Sequence, residues 1–309
     1  LAALKFHPLA RAGEFLAGVA LGLLDRRRPL LARGGGWAAL AALAAILGLV
    51  AVGAVMVYSA SAVQAGQSRR LGHDEFHYLE RQLLAAGAGL ALLAGALALG
   101  VRRIAALAGP LLLAAFALLL AVPFAGRAAG GAQRWLPLGP LSFQPAEAAK
   151  VALVLWLARS LARNREKVRL LSVGLLPPLA VTGALVALCL AQRDLGTGVI
   201  LFLVLLAMLF AAGAKVSYLV LAVGAAAPVA WHLVKATPYR YARVVAFLDP
   251  ERYRSGAGFQ LWESLLGTAN GGLLGQGLGQ GKGKLFYLPA AHTDFIAAVI
   301  AEEAGLVGV

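Results

Sequence analysis

Long apolar stretches alternate with short polar segments along most of this chain. An α-helix needs roughly 20 apolar residues to cross the hydrocarbon core of a bilayer. Eight stretches come close to this length and are predicted to be transmembrane helices: 37–60, 82–101, 104–124, 146–162, 171–190, 197–213, 216–235 and 293–309. The pattern therefore predicts an all-α polytopic membrane protein.

The two ends of the chain differ from this pattern. The last stretch reaches Val309 without a polar flank, so we expect further sequence beyond it. Residues 1–36 hold a short apolar run at 14–24 that is followed by three arginines at 26–28. A signal peptide has its basic residues before the apolar run, so we interpret 1–36 as a cytoplasmic segment with an interfacial amphipathic part.

Composition agrees with a membrane location. The chain is 61% hydrophobic and only 14% charged, with a mean hydropathy of +0.79, which excludes a soluble domain of this length. Its single cysteine, Cys189, lies in the middle of a predicted span, which excludes disulfides and thiolate metal sites. Lysine and arginine are densest in 1–36 and 159–169, which predicts that these segments are cytoplasmic. The long segment 236–292 is then an extracytoplasmic loop.

Charged residues within the predicted spans are the first candidates for function. Asp294 lies at the outer mouth of the last span, and Glu302 and Glu303 lie about two helical turns further in. Such residues are expensive in a bilayer and usually face a protein interior or a wet cavity. Glu147 and Lys150 share one face of another helix. They neutralise each other, or they line a polar cavity in which Lys150 meets an anion.

The outer segments also contain cations and aromatic residues. Arg134 and Trp135 lie in AQRWLPLG, Asp194 lies in QRDLG at the outer end of a span, and Arg240 and Arg243 lie in PYRYAR. Clustered arginines suit phosphate or pyrophosphate groups, and they equally suit anionic lipid headgroups. A carboxylate, several cations and adjacent lipid indicate a lipid-linked phosphorylated substrate, acted on by an enzyme or moved by a carrier.

Two further stretches resemble known binding motifs but do not match them in detail. GQGLGQGKGK (275–284) lacks the spacing of a phosphate-binding loop, so we interpret it as flexible backbone with Lys282 and Lys284 available for anions. HDEFH (73–77) lacks the order of a zinc-protease motif and is interpreted as a polar loop. No dedicated metal-ligand cluster is evident in the sequence.

Six pieces of this sequence, in order, resemble the SEDS family (FtsW/RodA/SpoVE): VYSAS (57–61), FHYLERQ (76–82), AQRWLPLGPLSFQPAEAAK (132–150), QRDLGTG (192–198), PYRYARVVAFLDP (238–250) and YLPAAHTDFIAAVIAEEAGLVG (287–308). FHYLERQ, PYRYAR and the glycine run are more similar to FtsW or SpoVE than to RodA. The resemblance covers 37–309, which we take as one SEDS transmembrane domain. Family members have ten membrane helices, so the resemblance implies that a C-terminal pair is missing from the eight predicted here. Arg193 stands where the family commonly has proline.

The resemblance implies a peptidoglycan glycosyltransferase of the bacterial cytoplasmic membrane that polymerises lipid II on the outer face during cell division. Asp294 matches the family's essential aspartate, which would be the general base. The same resemblance assigns substrate binding to other matched residues: Lys150, Glu147, Arg134, Trp135, Asp194 and His292. Arg240 and Arg243 are also assigned to substrate binding, because of their charge and not because they match a family motif. Glu302 and Glu303 are interpreted as structural partners of buried cations or helix ends.

The resemblance also implies partners and leaves alternatives open. A class B penicillin-binding transpeptidase (FtsI-like), other divisome membrane proteins and membrane lipids are the expected partners, and no nucleic acid is expected. No cofactor is certain, and a divalent cation such as Mg²⁺ or Mn²⁺ is the open alternative for assisting the leaving group. Two rival functions stay open. One is a lipid II flippase, in which Glu302 and Glu303 would contact the headgroup deep in the membrane, and the other is a non-catalytic scaffold.

Overall fold

The computed structural model describes residues 35–69, 72–129, 132–138, 141–284 and 291–309. The interpretation of 1–36 as an amphipathic cytoplasmic segment, and residues 285–290 of the YLPAAHTDF stretch, fall almost wholly outside these described residues. The described chain divides into two compact units. The first unit holds residues 89–228, and the second unit holds residues 35–88 together with 229–309.

The described elements are mostly helical. In chain order they are α1 (Gly35–Gly66), α2 (His77–Ala125), β1 (Arg127–Ala129), β2 (Ala132–Leu138), β3 (Leu141–Phe143), α3 (Pro145–Arg163), α4 (Leu176–Ala191), α5 (Leu195–Ala211), α6 (Val216–Lys235), α7 (Pro238–Leu248), α8 (Phe259–Gly271) and α9 (Ile296–Ala304). Short 3-10 segments lie at Arg165–Lys167 and Leu306–Gly308, and a π-helical turn at Leu171–Leu175 precedes α4.

Four helices of the described chain are long and apolar enough to cross a membrane: Leu40–Gly66, His77–Ala125, Leu171–Ala191 and Val216–Lys235. The second of these, α2, is interrupted at Gly100, whose φ of 72° and ψ of 160° are not helical. Glycine adopts this conformation without the cost that a Cβ would impose. The interruption falls close to the predicted boundary between the spans 82–101 and 104–124. The prediction of a mostly helical membrane protein is confirmed, whereas the count of eight spans and the missing C-terminal pair are not.

The predicted final span over 293–309 is wrong in extent. Helix α9 ends at Ala304, because Gly305 takes a φ of 68°. The backbone amides of Leu306 and Val307 then donate to the carbonyls of Gly272 and Leu273, at 3.0 and 3.2 Å. At 1.5 Å per residue, a helix of this length reaches about half of the roughly 30 Å hydrocarbon core.

The segments predicted as outer loops also contain regular structure. The long segment 236–292 holds two helices, α7 and α8. Proline at the first position of α7 supplies a helix-compatible φ where no amide proton is needed. The segment before α3 forms a three-stranded antiparallel sheet in the order β1-β2-β3, with Leu136 opposite Phe143. The sequence prediction contained no strands, because each of these is short.

The core of the first unit lies among α2, α3, α4 and α5. Leu201, Leu205 and Leu209 of α5 are fully buried and recur every four residues, so they form one stripe along the helix. The outward faces of the helices carry exposed apolar side chains. Phe210 of α5 is 67% exposed, and Phe124 of α2 is 90% exposed. Helices with one face buried and the rest apolar suit a lipid surround.

The turn between α4 and α5 has the hydrogen bonds of a Schellman motif. The amide of Asp194 donates to the carbonyl of Cys189, and the amide of Arg193 donates to the carbonyl of Leu190, both at 2.9 Å. Arg193 has a φ of 59°, in the left-handed region. Proline cannot adopt this φ.

This turn gives the first testable prediction. Arg193→Pro would force φ to about −65° and remove the amide proton, so we expect a loss of roughly 3 kcal/mol in the free energy of unfolding. Arg193→Gly is the matched control, and we expect little change, because relief of about 1 kcal/mol of left-handed strain is offset by glycine's greater entropy in the unfolded chain. Thermal unfolding in detergent measures both. Equal stability of the proline variant and wild type would contradict the left-handed turn.

Candidate active site

Asp294 lies in the second unit, in the turn that leads into α9. Its side chain is exposed, while the residues around it are packed: Ala291 and Val299 form a buried cluster with Met56 and Ala60 of α1. The turn is thus anchored on both sides of the carboxylate. An exposed carboxylate on an anchored turn is the arrangement expected of a general base that meets a substrate from outside.

His292 lies beside Asp294 and contacts Tyr78 of α2. The two ring centroids are 4.5 Å apart, and the Nδ1 atom of His292 is buried without a hydrogen-bond partner in the described structure. Burial lowers the pKa of His292 below 6.5, and the negative charge of Asp294 only partly opposes this. The ring is therefore uncharged at neutral pH, and it can contribute an acceptor or an apolar face rather than a cation.

Glu303 is fully buried in α9 and accepts hydrogen bonds from two other segments, α1 and the glycine-rich run. Its carboxylate accepts from the hydroxyl of Ser59 in α1 at 2.8 and 2.9 Å, from the amide of Gly279 at 2.9 Å, and from the ammonium of Lys284 at 2.8 Å. The ion pair is almost completely shielded, with side-chain exposures of 7% for Lys284 and 0% for Glu303. The interpretation of Glu303 as the partner of a buried cation is confirmed.

Glu302 is held in a related way by the glycine-rich run. Its two oxygens accept from the amides of Lys282 and Gly283, each at 3.0 Å. A Cβ on Gly281 would lie 3.0–3.1 Å from the two glutamates, so a larger residue would require these side chains to shift. The interpretation of this run as flexible backbone with Lys284 available for anions is wrong, because its amides and Lys284 bind the protein's own carboxylates.

In the first unit, Asp194 is the N-cap of α5. It accepts from the Thr197 amide at 3.2 Å, from the Thr197 hydroxyl at 2.8 Å and from the Gln144 side chain at 3.3 Å. Arg134 on β2 approaches it, with Nη1 3.9 Å from Oδ1, and donates from Nη2 to the carbonyl of Arg193 at 2.5 Å. Trp135, the next residue on β2, is buried. Asp194 therefore connects the sheet to the start of α5.

Glu147 and Lys150 form the ion pair that their spacing predicts. Helix α3 begins at Pro145, and the two charged atoms are 2.8 Å apart with side-chain exposures of 17% and 7%. The Glu147 Oε2 atom is buried and accepts no hydrogen bond of good geometry, so the contact is mainly electrostatic. Mutual neutralisation is observed, which leaves substrate contact by Lys150 as a prediction.

The arginines predicted to bind anions, Arg240 and Arg243, lie on α7 in the second unit. Arg243 is exposed and stacks over the ring of Tyr239 at 4.6 Å, while Arg240 donates to the carbonyl of Leu233 at 3.5 Å. Within the described residues, no group of three or more His, Cys, Asp or Glu side chains has the geometry of a metal site. A role for these arginines toward a phosphate stays a prediction.

Comparison with known proteins identifies the family. The sequence model of the FtsW/RodA/SpoVE family, described as cell cycle proteins, matches residues 40–309. This chain belongs to the FtsW/RodA/SpoVE family. A protein of Geobacter sulfurreducens named probable peptidoglycan glycosyltransferase FtsW is 43% identical over 84% of this chain and 70% of its own length. Another of the same name from Geobacter sp. strain M18 is 44% identical over 84% of this chain and 71% of its length.

Solved structures agree with this family. The rod shape determining protein RodA of Thermus thermophilus is 29% identical and superposes with a TM-score of 0.55, covering 91% of this chain and 70% of RodA. A chain from a peptidoglycan synthase complex, described as coordinating polymerization and crosslinking, is 30% identical with a TM-score of 0.57, covering 84% and 71%. The mostly helical fold is therefore that of FtsW/RodA/SpoVE proteins.

Sequence reasoning missed the contacts that three residues of this FtsW/RodA/SpoVE chain make with buried carboxylates. Ser59 was recognised only as part of VYSAS, and Lys284 and Gln144 received no partner. A serine within an apolar span is a weak signal on its own, because its partner Glu303 lies 244 residues away in the chain. These hydrogen bonds could not be predicted because the partners are far apart in the sequence, not because their residue types are unusual.

The Glu147–Lys150 pair of this FtsW/RodA/SpoVE chain gives a second prediction. Lys150→Met leaves the Glu147 carboxylate buried without its partner, so we expect a loss of about 3–5 kcal/mol in the free energy of unfolding. The double variant Glu147→Gln/Lys150→Met removes both charges, and we expect it to recover most of that loss. Thermal unfolding of wild type, both single variants and the double variant completes the cycle. Strictly additive losses would contradict a coupled pair.

Proposed function

We propose that this chain is a peptidoglycan glycosyltransferase that polymerises lipid II into glycan strands, with Asp294 as its general base. The observation that carries the proposal is the exposed Asp294 carboxylate on a turn anchored by the buried cluster of Ala291, Val299, Met56 and Ala60. Relatives at 43–44% identity that are named probable peptidoglycan glycosyltransferase FtsW support the reaction class and a role in cell division.

The proposed chemistry needs one base and no nucleophile on the protein. Lipid II carries an α-linked pyrophosphate and the glycan strand is β-1,4-linked, so the transfer inverts the anomeric carbon. Asp294 takes the proton of the attacking sugar hydroxyl, whose oxygen bonds to the anomeric carbon as the bond to the pyrophosphate breaks. General-base assistance of this kind contributes about 10²- to 10⁴-fold to the rate.

The departing pyrophosphate gains negative charge, which cations stabilise in a site of low dielectric constant. We assign this role to Lys150, Arg134, Arg240 and Arg243. Trp135, Asp194, Glu147 and His292 would contact or orient the sugar and headgroup. The neutral ring of His292 fits this role, since a cation next to Asp294 would weaken it as a base. Assistance by Mg²⁺ or Mn²⁺ would add Lewis acidity at the pyrophosphate, and titration of the purified protein with each ion tests it.

The proposal includes a location and a partner. The chain would lie in the cytoplasmic membrane with residues 1–36 in the cytoplasm and Asp294 on the outer side, as the distribution of lysine and arginine indicates. A class B penicillin-binding transpeptidase would crosslink the strands, together with other divisome membrane proteins. The peptidoglycan synthase complex that coordinates polymerization and crosslinking supports such an assembly.

One observation disfavours the flippase. A carrier needs polar groups at depth that are accessible to the headgroup, and Glu302 and Glu303 were its candidates. Both glutamates are almost fully buried, and protein donors bind every one of their carboxylate oxygens. These residues hold the structure together instead of forming a path.

The third prediction tests Asp294 directly. The full-length protein is purified with its cognate transpeptidase and supplied with labelled lipid II, and glycan strands are followed by gel. We expect Asp294→Ala and Asp294→Asn to lower the polymerisation rate by about 10²-fold or more, because the base is lost. Glu251→Ala, which removes an exposed carboxylate of the same unit, is the matched control and is expected to polymerise like wild type.

Two outcomes would contradict this assignment. Equal polymer from wild type and a folded, partner-bound Asp294→Ala would place the activity in the partner and make this chain a scaffold. No polymer from either protein, combined with lipid II movement across proteoliposome membranes, would favour the flippase.

A further inference from the structure

The ion pair between Lys284 and Glu303 joins two points of the chain that lie on either side of Asp294. The Nζ and Oε1 atoms are 2.8 Å apart, and the two residues are separated by 19 positions in sequence. Glu303 belongs to α9, which begins two residues after Asp294, so the pair fixes the helix that follows Asp294. Nothing in the assigned chemistry uses Lys284, Glu303 or Ser59.

The junction is fully occupied by hydrogen bonds. Lys284 donates to Glu303 at 2.8 Å, to the Ser59 hydroxyl at 3.0 Å and to the carbonyl of Gly279 at 2.6 Å, which uses its three protons. Ser59 donates in turn to both oxygens of Glu303. Three segments of the second unit thus meet at one point: α1, the glycine-rich run and the end of α9.

Fixing α9 restricts where Asp294 can be. Asp294 lies two residues before α9, and the contacts of Glu303 bind the far end of that helix to α1 and to the glycine-rich run. The cluster around Ala291 and Val299 holds the near end of the helix and the Asp294 turn against α1. Displacement of a catalytic group by about 1 Å can lower a rate by about 10²-fold.

We propose that Ser59, Lys284 and Glu303 form a positioning triad that sets the location of Asp294 for glycosyl transfer. This inference rests on the proposed function, in which Asp294 is the base. The triad does not touch the substrate. It acts by holding α9, the helix that follows Asp294, to α1, so its loss reduces turnover more than lipid II affinity.

The experiment compares variants of graded severity in the full-length protein with its transpeptidase. Glu303→Gln removes the charge opposite Lys284. Ser59→Ala removes only the shared hydroxyl, and Ser59→Thr retains a hydroxyl. Leu205→Ala, a fully buried change in the first unit, is the control for general destabilisation. For each protein, kcat and KM for lipid II polymerisation, the Tm in detergent and hydrogen exchange of peptides covering 291–304 are measured.

We expect Glu303→Gln and Ser59→Ala to lower kcat by about 10- to 100-fold. KM should change less than about threefold, since the triad makes no substrate contact. Exchange within 291–304 should rise in both variants, and Ser59→Thr should restore kcat and slow exchange. Leu205→Ala should lower the Tm, but it should not lower kcat selectively while leaving KM almost unchanged.

Several results would overturn the inference. One is a loss of kcat that depends on the loss of Tm in the same way in the triad variants and in Leu205→Ala. Another is unchanged exchange in 291–304 when Ser59→Ala or Glu303→Gln is folded. Should Glu303→Gln fail to fold, the Ser59→Ala and Ser59→Thr pair decides. A wild type that makes no polymer would contradict the proposed function itself, while the exchange of 291–304 would still report whether the triad holds the Asp294 turn and α9.

Discussion

The cost of burying charge in an apolar protein is the constraint on which the second unit depends. Two adjacent glutamates, Glu302 and Glu303, lie almost fully buried in α9. An isolated buried carboxylate is strongly unfavourable, so each must find donors. The glycine-rich run supplies backbone amides, Lys284 supplies a cation, and Ser59 supplies a hydroxyl. Glycine suits position 281, where a Cβ would already lie 3.0–3.1 Å from the glutamate side chains.

The same constraint organises the polar residues of the first unit in two different ways. Asp194 is satisfied by a helix N-terminus, by Thr197 and by Gln144, so it stabilises the start of α5 and also receives Arg134 from the sheet. Glu147 and Lys150 satisfy one another within a single helix. Residues proposed to meet the substrate must themselves be held in place, and these contacts supply that support.

The sequence alone predicted the features that depend on residues close together in the chain. The start of α3 at Pro145, the pairing of Glu147 with Lys150 and the break near Gly100 all follow from local pattern, and all are observed. Features that depend on distant partners were missed or misread. The last predicted span failed because Gly305 reverses the chain, and the glycine run was misread because its partners lie in α9. Roles for Asp294, His292, Arg240 and Arg243 in catalysis or binding stay predictions.

Chemical rescue of Asp294→Gly tests the central claim most directly, because it separates a missing base from a misplaced fold. The variant, purified with its transpeptidase, is supplied with lipid II and increasing formate, a small carboxylate able to occupy the vacated space. The account predicts that polymerisation rises with formate concentration in Asp294→Gly and not in Lys150→Met. Polymerisation by a folded, partner-bound Asp294→Gly at the wild-type rate without formate would contradict it, as would the absence of any rescue.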